Sequence, residues 1–132
     1  MTLQDLDRAL LVLEAWRQGS ERGLNVMVGI AYTISNLAKK DELPIGDAIL
    51  KHREMHSSAD CADVFPDQRN PVIGKLLVQV SDIDTPYEND LTNGAIYLID
   101  VSEPLTDSEK ELLNDSENHP LVAHIGSCKF FK

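Results

Sequence analysis

One glutamate lies among leucines on the first predicted helix, where a carboxylate is unusual. On a helical wheel of about 100° per residue, the four leucines of the apolar stripe fall between about 0° and about −80°, and Glu14 falls at about +20°, next to Leu3 at 0°. The apolar stripe, formed by Leu3, Leu6, Leu10 and Leu13, therefore lies on the same side as Glu14. Partial desolvation raises the pKa of a carboxyl group. A glutamate that keeps its proton near neutral pH can give it to a leaving oxygen, as general-acid cleavage of a glycosidic bond requires.

An ordinary ion pair is the alternative interpretation of Glu14. Arg17 lies one turn further along the helix, at about −40° on the same wheel, and is placed to pair with the carboxylate. Asp7, at about +40°, shows that Glu14 is not the only acid near the stripe.

A second group of side chains has metal-ligand spacing. His52 and His56 are four residues apart on a predicted helix, and Cys61 follows. This spacing can bind zinc, but "HREMH" has its glutamate in the middle and is not the HExxH motif. A solvated or half-buried helix face is the alternative, and we expect no metal or other cofactor.

Hydrophobic periodicity and capping residues predict the elements that carry these side chains. Helices are predicted at about 2–18, 24–40, 45–55, 71–80 and 107–113, the second apolar nearly all round and therefore central. Thr2 and Thr106 are the expected caps of the first and last helix. Strands are predicted at 94–100, 121–125 and 127–131, the last two joined by a turn at Gly126. We expect one α+β domain over residues 1–132, mostly helical, with a small C-terminal antiparallel sheet.

The charge and composition limit the function classes. A formal charge of −10 and a pI of about 4.6 argue against nucleic-acid and membrane binding and favour a basic or neutral partner. There is no apolar run of the ~20 residues that span a bilayer, and the N-terminus does not read as a signal peptide. We expect a cytoplasmic protein with its two cysteines, Cys61 and Cys128, unbridged.

Five segments, in order along the chain, resemble the cell-wall hydrolase family of the spore-cortex-lytic type, which phages and bacteria both carry. They are "LVLEAWRQGSERG", "GIAYTISNLAKK", "CADVFPDQ", "NDLTNGAIYLI" and "VAHIGSCKFF". The first resembles an apolar helix ending in E-A-R-G-E, and the second resembles a buried helix ending in V-I-x-N-R. The third resembles C-x-V-V-Y followed by Q-F. The fourth resembles D-P-T-x-G-A before an aromatic strand, and the fifth resembles I-G-x-H-x-F-Y.

The resemblance implies a small lysozyme-like domain that cuts the glycan strand of peptidoglycan without a cofactor. Glu14 matches the family's catalytic acid. The substrate groove would be lined by residues of the buried helix and of the "NDLTNGAIYLI" segment, namely Asn36, Asp90, Thr92, Asn93, Gly94 and Tyr97. On this interpretation, Asp90 and Thr92 border a groove whose opposite side is Glu14, and the turn at 90–94 is rigid.

The sequence also departs from the family pattern. The family's second glutamate is replaced by Gln18, with Glu21 as a shifted substitute about 10 Å further along a helix. The closing histidine of the family is Cys128 here, and the strongly acidic charge weakens attraction to an anionic cell wall.

Three functions therefore stay open, of which a plain structural or interaction subunit is the least specific. One is a muramidase or lytic transglycosylase with Glu14 as general acid, an endolysin-like enzyme that reaches the wall through a holin-type pore or lysis. Another is a catalytically degenerate copy of the fold, an acidic intracellular phage protein that binds or inhibits a host protein.

Overall fold

Helices dominate the first part of the chain, and the strands lie near its end. The computed structural model describes residues 4–20, 22–55, 71–81, 83, 90–102 and 104–132. Within these ranges the elements are, in order, α1 (Asp5–Gly19), α2 (Leu24–Asp41), α3 (Ile45–Met55), α4 (Pro71–Ser81), β1 (Tyr97–Asp100), α5 (Asp107–Asn114), β2 (Leu121–Ile125) and β3 (Cys128–Phe131). The predicted mostly helical α+β fold with a small antiparallel sheet is confirmed.

Helix α2 is the centre of the fold. Its side chains are buried on nearly all sides, and α1, α3, α4 and β1 all pack against it. The buried set from α2 includes Val26, Met27, Val28, Ile30, Ala31, Tyr32, Ile34, Leu37 and Ala38. A helix with so little polar surface cannot face water on any side, which is why the sequence predicts its central position.

The three strands form one antiparallel sheet with β3 in the middle, in the order β1-β3-β2. Side chains alternate between its two faces. Leu98 and Phe130 belong to the main core with the helices, whereas Ile99 and Phe131 form a smaller cluster with Leu112 of α5. The sheet therefore lies between the helical core and α5.

The sheet lies very close to α2 at Gly29. A Cβ atom at this position would lie only 2.7 Å from Cζ of Phe130. Because Phe130 is completely buried, its ring has little room to move away. The absence of a side chain at Gly29 therefore allows the central strand to pack directly on the central helix.

The buried face of α1 differs from the predicted one. Leu6 is 70% and Leu13 is 40% exposed, whereas Leu11, Val12 and Ala15 are buried. The leucine stripe was expected to face the core, and that prediction is wrong for α1. On the wheel, these buried residues lie between about +80° and +180°, on the side roughly opposite the stripe, because α2 and α4 pack there.

The ends of the elements agree with the prediction within a few residues. The cap of α5 is confirmed: the Glu109 backbone N–H donates to Thr106 Oγ1 at 3.1 Å, and the Thr106 N–H donates to Glu109 Oε1 at 2.9 Å. Helix α1 begins at Asp5 with Gln4 as its N-cap residue, later than predicted, and Thr2 lies outside the described residues. In the described ranges, no helix combines the length and the hydropathy that crossing a bilayer demands.

Candidate functional site

Glu14 lies in the interface between α1 and α3. It is only 2% exposed, so its carboxylate is removed from water as expected, but contact with α3 and not burial of the leucine stripe is what covers it. Its principal partner is Arg53 of α3, whose Nε donates to Oε2 at 2.8 Å and whose Nη2 donates to Oε1 at 2.5 Å. This two-point contact is the geometry in which a guanidinium binds a carboxylate most strongly.

Two further residues of α1 complete the surroundings of Glu14. Arg17 Nη1 lies 3.4 Å from Oε1, and Gln18 Nε2 donates to Oε2 at 3.2 Å. Both carboxylate oxygens therefore accept hydrogen bonds from several donors. The ion pair with Arg17 that the sequence offered as an alternative is present, but Arg53 makes the shorter and more numerous contacts.

Gln18 extends this network to a buried histidine. Its Oε1 lies 3.2 Å from Nε2 of His52, which is only 2% exposed. Because the Gln18 amide group donates to Glu14, its carbonyl oxygen faces His52 and accepts a hydrogen from Nε2, an assignment that follows from the hydrogen-bond network. Gln18 is the position at which the resemblance predicts a second glutamate. A glutamate there would repel Glu14, whereas the glutamine donates to it.

The pKa of Glu14 is lowered, not raised as expected from the sequence. Burial by itself raises it, but hydrogen bonds from Arg53 and Gln18 and the charges of Arg53 and Arg17 outweigh that effect. Glu14 is therefore ionised at neutral pH. A carboxylate without a proton cannot act as a general acid, and this one joins two helices.

The second group of predicted site residues forms a tightly bonded turn at 90–94. Asp90 Oδ1 accepts hydrogen bonds from the Thr92 N–H at 2.8 Å and from Thr92 Oγ1 at 2.6 Å, and Oδ2 accepts from the Gly94 N–H at 3.0 Å. Asn93 and Gly94 both have positive φ angles, 55° and 84°, which asparagine and glycine tolerate best. The Asp90 side chain therefore sets the conformation of the whole turn.

Asn36 of α2 attaches this turn to the central helix. Its Nδ2 donates to Asp90 Oδ2 and to the Ala95 carbonyl, both at 3.0 Å. Asn93 makes a different contact, donating from Nδ2 to the Val122 carbonyl at 2.9 Å. The structure thus brings together Asn36, Asp90, Thr92 and Gly94 of the predicted substrate-binding set, and it ties Asn93 to β2.

Tyr97 lies apart from that group. It packs with the small cluster on the α5 side of the sheet, and its ring meets His119 edge-on with centroids 5.2 Å apart. Leu98, the next residue of β1, belongs instead to the main core with the helices. Glu21, the second predicted catalytic residue, lies outside the described residues.

The hydrogen bonds of Glu14 and of Asp90 go to different residues. Glu14 is bonded by residues of α1 and α3, and Asp90 by α2 and its own turn. A surface cleft of about 490 Å³ lies beside Leu43 and Pro44, and another of about 560 Å³ lies beside Leu24 and Val78. Neither cleft is lined by Glu14 or Asp90. A groove between Glu14 and Asp90 stays a prediction.

A metal site is not formed by the described residues. No group of three or more His, Cys, Asp or Glu side chains within the described ranges could hold a metal ion. His52 is buried against Gln18, and His56 and Cys61 lie outside these ranges. Cys128 is buried and free.

A second ion pair links the α1–α2 connection to the sheet. Arg22 Nε lies 2.6 Å from Asp100 Oδ2, and Asp100 also accepts from the Ser102 N–H at 2.9 Å.

Burial and the neighbouring Asp100 carboxylate raise the pKa of the Cys128 thiol to about 11. Cys128 is therefore a protonated core side chain at neutral pH, unsuited to nucleophilic chemistry.

Arg53 is the residue of this site that sequence reasoning missed. It lies in "HREMH", where the two histidines drew attention as possible ligands. The available signal was the buried glutamate itself, because a buried carboxylate needs a cation beside it to offset the loss of hydration. Sequence spacing, however, does not reveal which arginine supplies that charge.

Compared with models of known protein families, with curated proteins and with solved structures, the chain has no match.

Proposed function

We propose that this chain is a binding protein that engages a basic partner and does not cleave glycan strands. The observation that supports this most directly is the ion pair between Glu14 and Arg53. The Glu14 carboxylate is ionised and accepts hydrogen bonds at both oxygens, so it holds no proton for a leaving group. The residue that resembles a family's catalytic acid then serves to join α1 to α3.

The charge of the chain supports a basic partner. A formal charge of −10 attracts positively charged surfaces and speeds their encounter, and it repels phosphate backbones and anionic polymers such as the cell wall. An acidic protein that binds and inhibits a host protein fits this surface better than an enzyme acting on an anionic wall.

Glycan cleavage is the second candidate. The observation that favours it is the turn at 90–94, where Asn36, Asp90, Thr92 and Gly94, all matched to groove residues of the resembling family, form one hydrogen-bonded unit. Cleavage would require Glu14 to be released from Arg53 and protonated when the substrate binds.

Turbidity clearing of purified peptidoglycan separates the two candidates. We would compare the wild type with Glu14→Gln and with Glu111→Gln, a matched change at an exposed position of α5, over several salt concentrations and pH values. We expect no clearing by any of the three proteins. Clearing by the wild type and Glu111→Gln but not by Glu14→Gln would overturn the proposal and support the glycosidase.

Affinity capture tests binding directly. The tagged chain is used as bait in lysate of the source cells, with an unrelated protein of similar negative charge as control. We expect a basic protein in stoichiometric amount that high salt releases and that the control bait does not retain. An empty capture at low salt would count against the proposal.

A further inference from the structure

The turn at 90–94 contains an asparagine followed by glycine, the dipeptide Asn93-Gly94. In a chain without structure, the backbone nitrogen that follows an asparagine attacks the asparagine side chain. Glycine hinders this attack least, because it has no side chain and its backbone turns most freely. The Asn93 side chain is also exposed to water. The sequence and the exposure together mark Asn93 as a site of spontaneous deamidation.

The chemistry of deamidation defines what the turn must supply. The Gly94 nitrogen, after losing its proton to a base in the solvent, attacks Cγ of Asn93 and closes a succinimide ring. The bond between Cγ and Nδ2 breaks, and the nitrogen leaves as ammonia with a proton from water. Water then opens the ring at either carbonyl, which gives aspartate or isoaspartate. The reaction therefore needs an ionised Gly94 nitrogen and an Asn93 side chain that can reach it.

The folded turn opposes both requirements. The Gly94 N–H donates to Asp90 Oδ2 at 3.0 Å, so a negative charge on that nitrogen would face a carboxylate, and a like charge nearby disfavours the ionised form. The Asn93 side chain is held in another contact, because its Nδ2 donates to the Val122 carbonyl at 2.9 Å. Asn36 of α2 fixes the position of Asp90 by donating to the same Oδ2 at 3.0 Å.

The product would not keep the contact with β2. Deamidation replaces the Nδ2 donor of Asn93 by a carboxylate oxygen, which only accepts hydrogen bonds and is repelled by the Val122 carbonyl. In isoaspartate the main chain also runs through the former side chain, which changes the spacing between the Asp90 carboxylate and the Gly94 N–H. Either product therefore removes the hydrogen bond that ties the turn to β2.

From these contacts we propose that Asn93 is a deamidation site that the folded turn protects through Asp90, and that its conversion detaches the turn from β2. The proposal is independent of whether the chain binds a basic partner or cleaves glycan strands. It assigns to the turn a slow chemical change whose rate reports how often the turn opens.

Incubation of the wild-type chain at pH 8, in buffer and in guanidinium chloride, compares the folded and unfolded states. Peptide mapping by mass spectrometry measures the acid fraction at Asn93 over time. We expect conversion at least about tenfold slower in buffer, because the reaction must then wait for the turn to open. Equal rates in the two solutions would overturn the protection, and no conversion in denaturant would show that Asn93 is not a deamidation site.

Variants of Asp90 test which group protects the site. Asp90→Ala frees the Gly94 N–H and should speed conversion at Asn93 in buffer about tenfold, whereas Asp47→Ala, at an exposed position of α3, should react like the wild type. Asp90→Asn keeps an acceptor for the Gly94 N–H without the charge, and its rate should fall between those of Asp90→Ala and the wild type. Circular dichroism checks that the variants are folded.

If Asp90→Ala does not fold, Asp90→Asn decides the role of the carboxylate. A folded variant of Asp90 that converts at the wild-type rate would overturn that role. The milder variant is suited to this because it retains the size of the aspartate and an oxygen for the Gly94 N–H.

Asn93→Asp reproduces one product and tests its effect on the sheet. Hydrogen exchange of the amides of β2 should be about tenfold faster in this variant than in the wild type, since the turn no longer holds the strand. Asn114→Asp, which adds the same charge at the exposed end of α5, is the matched control and should leave exchange in β2 unchanged. Equal exchange in Asn93→Asp and the wild type would show that deamidation does not detach the turn.

Discussion

The guanidinium of Arg53 and the carboxylate of Glu14 connect α3 to α1 through two hydrogen bonds, Nε to Oε2 at 2.8 Å and Nη2 to Oε1 at 2.5 Å. The two residues are 39 positions apart in sequence. Glu14 is almost fully buried, whereas the Arg53 side chain is 39% exposed, so the pair closes the edge of the α1–α3 interface.

Replacing Glu14 by glutamine should destabilise the fold. The change leaves Arg53 without its buried counter-charge, and we expect a loss of about 2 kcal/mol in the free energy of unfolding. This is less than for a fully buried pair, because water still reaches Arg53. Urea unfolding followed by circular dichroism measures the loss. Glu111→Gln, at an exposed position of α5, should change the free energy by no more than about 0.5 kcal/mol, and an equal loss in both variants would contradict the assignment.

The stability contributed by Glu14 should depend on pH. Its pKa is lower in the folded chain than its ordinary value of 4.5, so its contribution is complete above that value and is lost as the pH falls through the folded pKa. The difference in free energy of unfolding between the wild type and Glu14→Gln should be constant between pH 6 and pH 7 and should narrow below pH 4.5. A difference that grows on acidification would show that the pKa is raised instead.

Removal of the Asp90 carboxylate should loosen the turn at 90–94. Asp90→Ala leaves the Thr92 and Gly94 N–H groups and the Asn36 amide without their acceptor, and we expect a loss of about 3 kcal/mol. Asp47→Ala, at an exposed position of α3, is the control. A double-mutant cycle with Asn36→Ala should give a coupling of about 1 kcal/mol between Asn36 and Asp90. Additive losses would mean that this hydrogen bond contributes nothing.

Two glycines in helices should respond to alanine in opposite directions. Gly29→Ala places a Cβ 2.7 Å from Phe130 Cζ and should cost about 2 kcal/mol of stability through overpacking. Gly74→Ala meets no atom within 4 Å and should stabilise α4 by about 1 kcal/mol through helix propensity. Melting temperatures of the two variants should move apart, and a Gly29→Ala protein as stable as the wild type would show that the sheet does not pack closely on α2.

The thiol of Cys128 should be unreactive in the folded chain. Burial and the Asp100 charge raise its pKa to about 11, so both the thiolate fraction and the access of reagents are low at pH 8. In a Cys61→Ser variant, whose one remaining thiol is Cys128, an aromatic disulfide reagent should react slowly in buffer and at once in denaturant. Rapid reaction of the folded variant would contradict the burial.

Local order was predictable from the sequence. The central position of α2 follows from its almost wholly apolar composition, and the start of α5 follows from the capping box of Thr106 and Glu109. The turn at Gly126 follows from two short apolar runs on either side of it, and glycine accepts its positive φ of 57° without strain. Each of these features depends on residues close together in the chain.

The burial of Glu14 was expected from the sequence, but neither its cause nor its effect on the proton was predicted, because the leucine stripe stays exposed and α3 covers the carboxylate. Desolvation alone raises a carboxyl pKa, and a cation beside it lowers the pKa. Which effect dominates depended on Arg53, a residue 39 positions away that only the packing of α3 on α1 brings into contact.

Sequence periodicity determined that α1 is a helix with a leucine stripe, whereas the tertiary structure decided which side of it is buried. Leu11 and Ala15 face α2 and the other core helices, while Leu6 and Leu13 stay in water. Periodicity records where apolar side chains lie around a helix axis, but helices with more than one apolar face can pack on any of them. The choice follows from the shape of the neighbouring helices, which the sequence of α1 does not contain.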